Sequence, residues 1–134
     1  MERTNFENLR VYQLAEDLAD LVWEIVAGWN SFDRDTVGKQ IVRSADSVGA
    51  NIAEGTGRYG FQDNKRFGYF ARGSLNETKH WLRRAYKRDL LTSAEIQKLK
   101  LVMDELGPKL NAYIKSIKAA NVMKATNNDP RTTN

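Results

Sequence analysis

Residues 92–118 read TSAEIQKLKLVMDELGPKLNAYIKSIK and carry the clearest helical signature in the chain. Thr92-Ser93-Ala94-Glu95 has the form of a capping box, in which the hydroxyl and the carboxylate each satisfy a backbone donor of the first turn. From there Leu99, Met103, Leu106, Leu110, Tyr113 and Ile117 recur at alternating steps of four and three, the spacing of a seam in left-handed bundle packing. Pro108 falls inside this seam. It removes one backbone donor and crowds the carbonyl of Asp104, but the apolar period runs on, so the pattern predicts a kink there and not an end.

Working back from this helix, a second long segment runs from a cap at Asp63 or Asn64 to about Asp89. Phe67, Phe70/Ala71, Ser74/Leu75, Thr78, Trp81/Leu82 and Ala85 form its inward face. Before it stands the one glycine-rich stretch, Gly55 to Asn64. Its G-x-G-x-x-G spacing imitates a dinucleotide motif, but that motif needs a preceding strand, and here a helix precedes it. It reads as a loop with glycine at positive φ. Val37, Ile41, Ala45, Val48 and Ile52 mark a helix from about Asp35 to Glu54. Its flank of Ser44, Ser47, Gly49, Ala50 and Ala53 is small enough for either tight internal packing or a subunit contact. Residues 30–35, rich in turn and cap formers, read as a loop. The first helix, about Asn8 to Gly28, has Val11, Leu14/Ala15, Leu18, Leu21/Val22, Ile25 and Trp29 on one face and Glu16, Asp17, Asp20 and Glu24 on the other. Gly28 can end it by taking positive φ.

Four amphipathic helices joined by short loops have one simple solution, an all-α antiparallel up-down-up-down four-helix bundle. It occupies residues 1–118, and the polar sequence at 119–134 reads as a disordered tail. The chain of 134 residues is long enough to bury such a core without cross-links, and it contains no cysteine. No apolar stretch approaches the roughly 20 residues of a membrane span, and the N-terminus lacks the apolar middle of a signal peptide. A cytoplasmic location is the expectation.

Catalysis needs convergent groups, and few are available. His80 is the single histidine. Glu77-Thr78-Lys79-His80 supplies one Glu-x-x-His pair, whereas a di-metal carboxylate bundle needs two. Glu54 and Glu77 lie near the inward faces and read as partners of Arg43, Arg58 or Arg72 in buried or half-buried ion pairs, because an unpaired carboxylate inside a bundle is costly. No catalytic, cofactor or metal residue is assigned, and the chain reads as a non-enzyme.

Charge is uneven along the chain. Residues 1–30 carry a net −4 and residues 64–91 a net +6, within an overall +4. In the basic segment Arg72, Asn76, Lys79/His80, Arg83 and Lys87 form an outward stripe, flanked by Arg84 and Arg88, and Arg66 in the same segment is a further candidate. Such a stripe can neutralise phosphates while Tyr59, Phe61, Tyr69 and Tyr86 stack on unpaired bases. Equally, it can pair with the acidic first helix of the same or a neighbouring copy.

The blocks R-S-A-D-S-V-G-A-N-I-A-E-G (43–55) and F-A-R-G-S-L-N-E (70–77), with Asn5-Phe6, Leu9, Val11-Tyr12-Gln13 and Ala15, resemble the 23S rRNA-intervening-sequence proteins. The accessory protein of diversity-generating retroelements, which assists a reverse transcriptase, falls in the same group. The resemblance covers about residues 5–117 and implies a bundle assembling into a homopentamer. It also implies a role on RNA or DNA, or beside a nucleic-acid enzyme, without catalysis. Asn51, Glu54, Gly55, Arg58, Gly73, Ser74 and Glu77 match the family motif and are assigned to capping, close helix contact and ion pairing. Lys79-His80-Trp81-Leu82-Arg83-Arg84 is more basic than the commoner pattern. A protein-interaction scaffold with no nucleic-acid ligand is the alternative reading.

Overall fold

The computed structural model describes residues 5–127, with side chains described over 5–117. After a short 3-10 turn at Phe6–Asn8, four long helices follow: α1 (Arg10–Ala27), α2 (Lys39–Thr56), α3 (Phe61–Lys87) and α4 (Ser93–Asn127). No strand occurs among the described residues. The chain is all-α, as the periodicity predicts.

Contacts between consecutive helices pair rising residue numbers on one with falling numbers on the next. A Cβ at Gly49 would meet Tyr12 and Ala15, and one at Gly38 would meet Val26 and Trp29. Ser44 bonds Thr78 while Asn51 reaches Ser74, and Asn64 meets Tyr113 while Arg72 meets Asn111. Successive helices therefore run in opposite senses. α1 also packs on α4, and Arg10 pairs with Glu105 at 3.1 Å, which closes the four-helix arrangement.

The predicted stripes form the core, except that Phe70, read as inward with Ala71, is 49% exposed while Ala71 is buried. Leu14, Leu18, Val22, Ile41, Val48, Ile52, Leu75, Leu106 and Leu110 are fully or almost fully buried. On α4 the seam is broader than the strict alternation: Ile114 is buried and Tyr113 only half-buried, because a 3.6-residue helix drifts across a seven-residue repeat.

Several boundaries move for identifiable reasons. Residues 30–35 are not a loop. Asn30 caps a helical turn at Ser31–Asp33, its side chain accepting from the Asp33 amide at 3.0 Å, and a π-helical turn at Arg34–Gly38 leads directly into α2. The residues that marked a loop are cap formers, and a cap starts a helix as readily as it ends one. Likewise α3 starts at Phe61 with Gly60 as its cap, so neither Asp63 nor Asn64 caps it. Asp63 lies in the first turn, where it pairs with Arg66 at 2.9 Å.

No glycine among the described residues has positive φ. Gly28 and Gly57 both end their helices at φ −85°. The left-handed residue is Asp89 (φ 58°), which closes α3 with Leu90 N–H donating to the Ala85 carbonyl at 3.0 Å. This is the Schellman arrangement, with a short polar side chain where glycine is commoner.

At α4 the capping box forms as read, with Thr92 N–H to Glu95 Oε1 at 2.9 Å and Glu95 N–H to Thr92 Oγ1 at 3.1 Å. Pro108 lies within the continuous helix. The backbone is helical to Asn127, and residues 128–134 of the expected polar tail lie outside the described residues. Alanine, methionine and lysine in this stretch are strong helix formers and extend a helix already nucleated by packing.

Candidate nucleic-acid interface

α3 positions the basic residues. Its buried face is Gly68, Ala71, Leu75, Thr78, Leu82 and Ala85. At about 100° per residue, the cations fall on two sides of that face and not in one stripe. Arg72, Lys79, Arg83 and Lys87 lie toward α4. Arg66, Arg84 and Arg88 lie toward α2, so the seven candidates do not all converge.

The α4 side is the richer one. Lys79, Arg83 and Tyr86 line a shallow groove of about 230 Å³ together with Leu82, Leu99, Lys100 and Met103. Tyr86 is 54% exposed and Tyr69 42%, so both rings are available on this side. Arg72 is engaged, donating to Asn111 Oδ1 at 3.3 Å with its guanidinium 4.9 Å from the Tyr69 ring centroid. Lys100 pairs with Asp104 at 3.0 Å. By contrast Lys79, Arg83, Arg84, Lys87 and Arg88 make no ion pair among the described residues. The remaining stacking candidates stand elsewhere: Tyr59 is fully exposed and Phe61 half-buried, at the opposite end of α3 from Tyr86.

The motif residues divide between internal packing and surface. Gly55 is buried where α2 crosses the start of α3, and a Cβ there would stand 2.7 Å from Asn64 Oδ1 and 3.1 Å from the Asn64 carbonyl. That is the close approach assigned to it. Asn51 donates to the Ser47 carbonyl at 2.8 Å, with Ser74 Oγ at 3.5 Å. Within the protomer Gly73 makes no close helix contact; it is exposed, and a Cβ would meet nothing within 4 Å among the described residues.

Glu54 does pair with Arg58, at 3.0 Å, but on the surface, with side chains 54% and 41% exposed. Arg58 also lies over the Phe67 ring. Among the described residues Glu77 forms no ion pair; it accepts from the Trp81 indole N–H at 3.1 Å on the exposed side of α3. At about 100° per residue both carboxylates fall on the far side of their helices from Ile52 and Leu75, exposed to water, so no burial needs to be offset. His80 is exposed with its ring edge-on to Trp81. No group of three or more His, Asp or Glu side chains able to hold a metal ion gathers among the described residues.

Two features escaped the sequence reading. Ser44 and Thr78, both buried, bond each other at 2.9 Å between α2 and α3. Part of the small flank of α2 is therefore used within the protomer. The second is an apolar groove of about 400 Å³ lined by Trp23, Val26, Ala27, Arg34, Lys39, Val42 and Arg43. Its one legible signal was Trp23, a large apolar residue off the α1 stripe.

A family model described as 23S rRNA-intervening sequence protein matches residues 7–112. The chain belongs to that family. The matched span runs from the 3-10 turn into α4 and includes Asn51, Glu54, Gly55, Arg58, Gly73, Ser74 and Glu77. A solved structure of a protein of unknown function from the S23 ribosomal protein family of Bacteroides thetaiotaomicron is similar. It has a TM-score of 0.69 and 24% identity, and covers 78% of this chain and 98% of that one. At that identity the likeness establishes the fold. No curated protein matches the chain. Among the described residues, no helix is long and apolar enough to cross a membrane.

Proposed function

We propose that this family member is a non-catalytic, cytoplasmic, homo-oligomeric adaptor that binds single-stranded RNA or DNA along the α4 side of α3. Its place is beside a nucleic-acid enzyme such as a reverse transcriptase. The observation that carries the reading is the set Lys79, Arg83 and Lys87, cations without carboxylate partners among the described residues, on the same side as the exposed Tyr69 and Tyr86 rings. Unpaired cations supply phosphate neutralisation at no cost in broken ion pairs, and exposed rings supply stacking without base preference. The homo-oligomer, a pentamer by kinship, draws support from exposed apolar side chains such as Phe70 and Leu101.

The test is fluorescence anisotropy of a labelled oligouridylate at several salt concentrations. Replacing Lys79, Arg83 and Lys87 together by Ala should weaken binding and make the salt slope shallower by about 2, roughly 0.7 for each phosphate of a single strand no longer neutralised. Unchanged affinity and slope would remove the reading. The competing reading, a protein scaffold in which basic α3 docks on acidic α1 of a neighbour, is favoured by the exposed Glu16, Asp17, Asp20 and Glu24. It predicts instead that sedimentation falls as salt rises while oligouridylate stays unbound.

A further inference from the structure

The apolar groove between α1 and α2 lies apart from the basic side of α3. Trp23, Val26, Ala27 and Val42 give it a hydrocarbon floor and wall, and Arg34, Lys39 and Arg43 surround them. Trp23 is 63% exposed, although tryptophan is a side chain that proteins bury highly on average. Arg34 holds only the neighbouring Asp35, at 3.2 Å, and Lys39 and Arg43 make no ion pair among the described residues.

The backbone beneath the groove is specialised too. Its far wall begins in the π-helical turn Arg34–Gly38, and such turns are rare and frequent at functional sites. Gly38 lets this turn sit directly on α1: a Cβ there would lie 2.7 Å from Val26 Cγ1 and 3.3 Å from the Trp29 ring. The turn is thereby held against α1 while Arg34 and Lys39, at its two ends, flank the groove.

We propose that this groove docks a peptide segment of a protein partner that presents a bulky apolar side chain flanked by carboxylates. A volume of about 400 Å³ accommodates a leucine or phenylalanine anchor with its neighbouring backbone. Tryptophan and arginine are the residues that most often carry binding energy at such contacts. Lys39 and Arg43, which hold no carboxylate among the described residues, and Arg34 beside its own Asp35 select a partner with acidic residues flanking the anchor and repel a basic one. A nucleic acid fits less well, because Val26, Ala27 and Val42 offer no ring for bases to stack on and Trp23 alone cannot form a stacking platform.

The experiment uses the full chain and a fluorescein-labelled synthetic peptide in which a Leu-Phe pair is flanked by glutamates, read by anisotropy. Saturable binding is expected. Trp23→Ala should weaken it at least about tenfold, as should Arg34→Ala combined with Arg43→Ala, and as should replacing Leu-Phe in the peptide by Ser-Ser. All three protein side chains are exposed or lie on the rim, so circular dichroism should show the fold unchanged. The Lys79→Ala/Arg83→Ala/Lys87→Ala variant should bind the peptide normally, which separates this site from the nucleic-acid reading. The proposal is overturned if the peptide fails to saturate or if binding ignores Trp23→Ala. It is equally overturned if oligouridylate occupies the Trp23-dependent site more tightly than the peptide, or if Trp23→Ala splits an assembly and so assigns the groove to a second copy.

Discussion

Two glycines of the same motif should respond in opposite ways to the same added methyl group. Gly73 lies mid-helix in α3 with open space where a Cβ would stand. Gly73→Ala therefore gains helix propensity with no steric cost, about 0.8–1 kcal/mol. Gly55→Ala gains a similar amount from the helix, but its Cβ would stand 2.7 Å from Asn64 Oδ1, 3.0 Å from Phe67 Cβ and 3.1 Å from the Asn64 carbonyl. The Asn64 side chain can swing away; the α3 backbone cannot, so α2 and α3 must separate by a few tenths of an ångström along a well-packed contact. Overpacking of this kind costs about 1–3 kcal/mol, which leaves Gly55→Ala net destabilised by about 1 kcal/mol. The two variants should thus differ by about 2 kcal/mol, or roughly 6–10 °C in Tm for a chain of this size. Urea and thermal unfolding followed by circular dichroism at one protein concentration measure both. If the two substitutions shift stability in the same direction, the close α2–α3 approach at Gly55, or the openness of Gly73, is misassigned.

The Ser44–Thr78 pair gives a double-mutant cycle. Two hydroxyl protons serve three contacts here, Thr78 to Ser44 at 2.9 Å, Thr78 to the Ser74 carbonyl at 2.8 Å and Ser44 to the Ile41 carbonyl at 3.2 Å. Each hydroxyl therefore keeps a backbone acceptor when the other is removed. Thr78→Val and Ser44→Ala should each cost about 1 kcal/mol, and the double variant less than their sum; strict additivity in urea titrations would show that the inter-helix bond contributes nothing. Asp46 has its carboxyl pushed above the ordinary 3.8, first by burial and then by the charge of Asp20. The folded state thus binds this proton more tightly than the unfolded chain, so the group costs stability once ionised. That cost is absent below 3.8 and grows as pH rises through the folded value. Asp46→Asn should accordingly stabilise at neutral pH and lose that advantage in acid; a gain that is equal at both pH values would refute the assignment.

What the sequence determined by itself was the set of buried stripes. Leu14, Leu18, Ile41, Ile52, Leu75, Leu106 and Leu110 are buried because a 3.6-residue period leaves one face of each helix apolar, and a local repeat needs no knowledge of its partner. The capping box at Thr92 and Glu95 was legible for the same reason, since both of its hydrogen bonds close within one turn. The family motif was legible as residues but not as roles. Gly55 and Gly73 look alike along the chain, and only the placement of α3 against α2 gives one a neighbour and leaves the other open.

The tertiary structure decided whatever depended on how the helices are rotated and staggered. It divided the seven cations between two sides of α3, and it gave Glu77 to the Trp81 indole in place of an arginine. It turned cap-forming residues 30–35 into the start of a helix and opened the groove behind Trp23. Each of these is a relation between surfaces brought together from distant parts of the chain. Periodicity says which face of a helix is hidden, but the neighbour's position alone sets what the other faces meet.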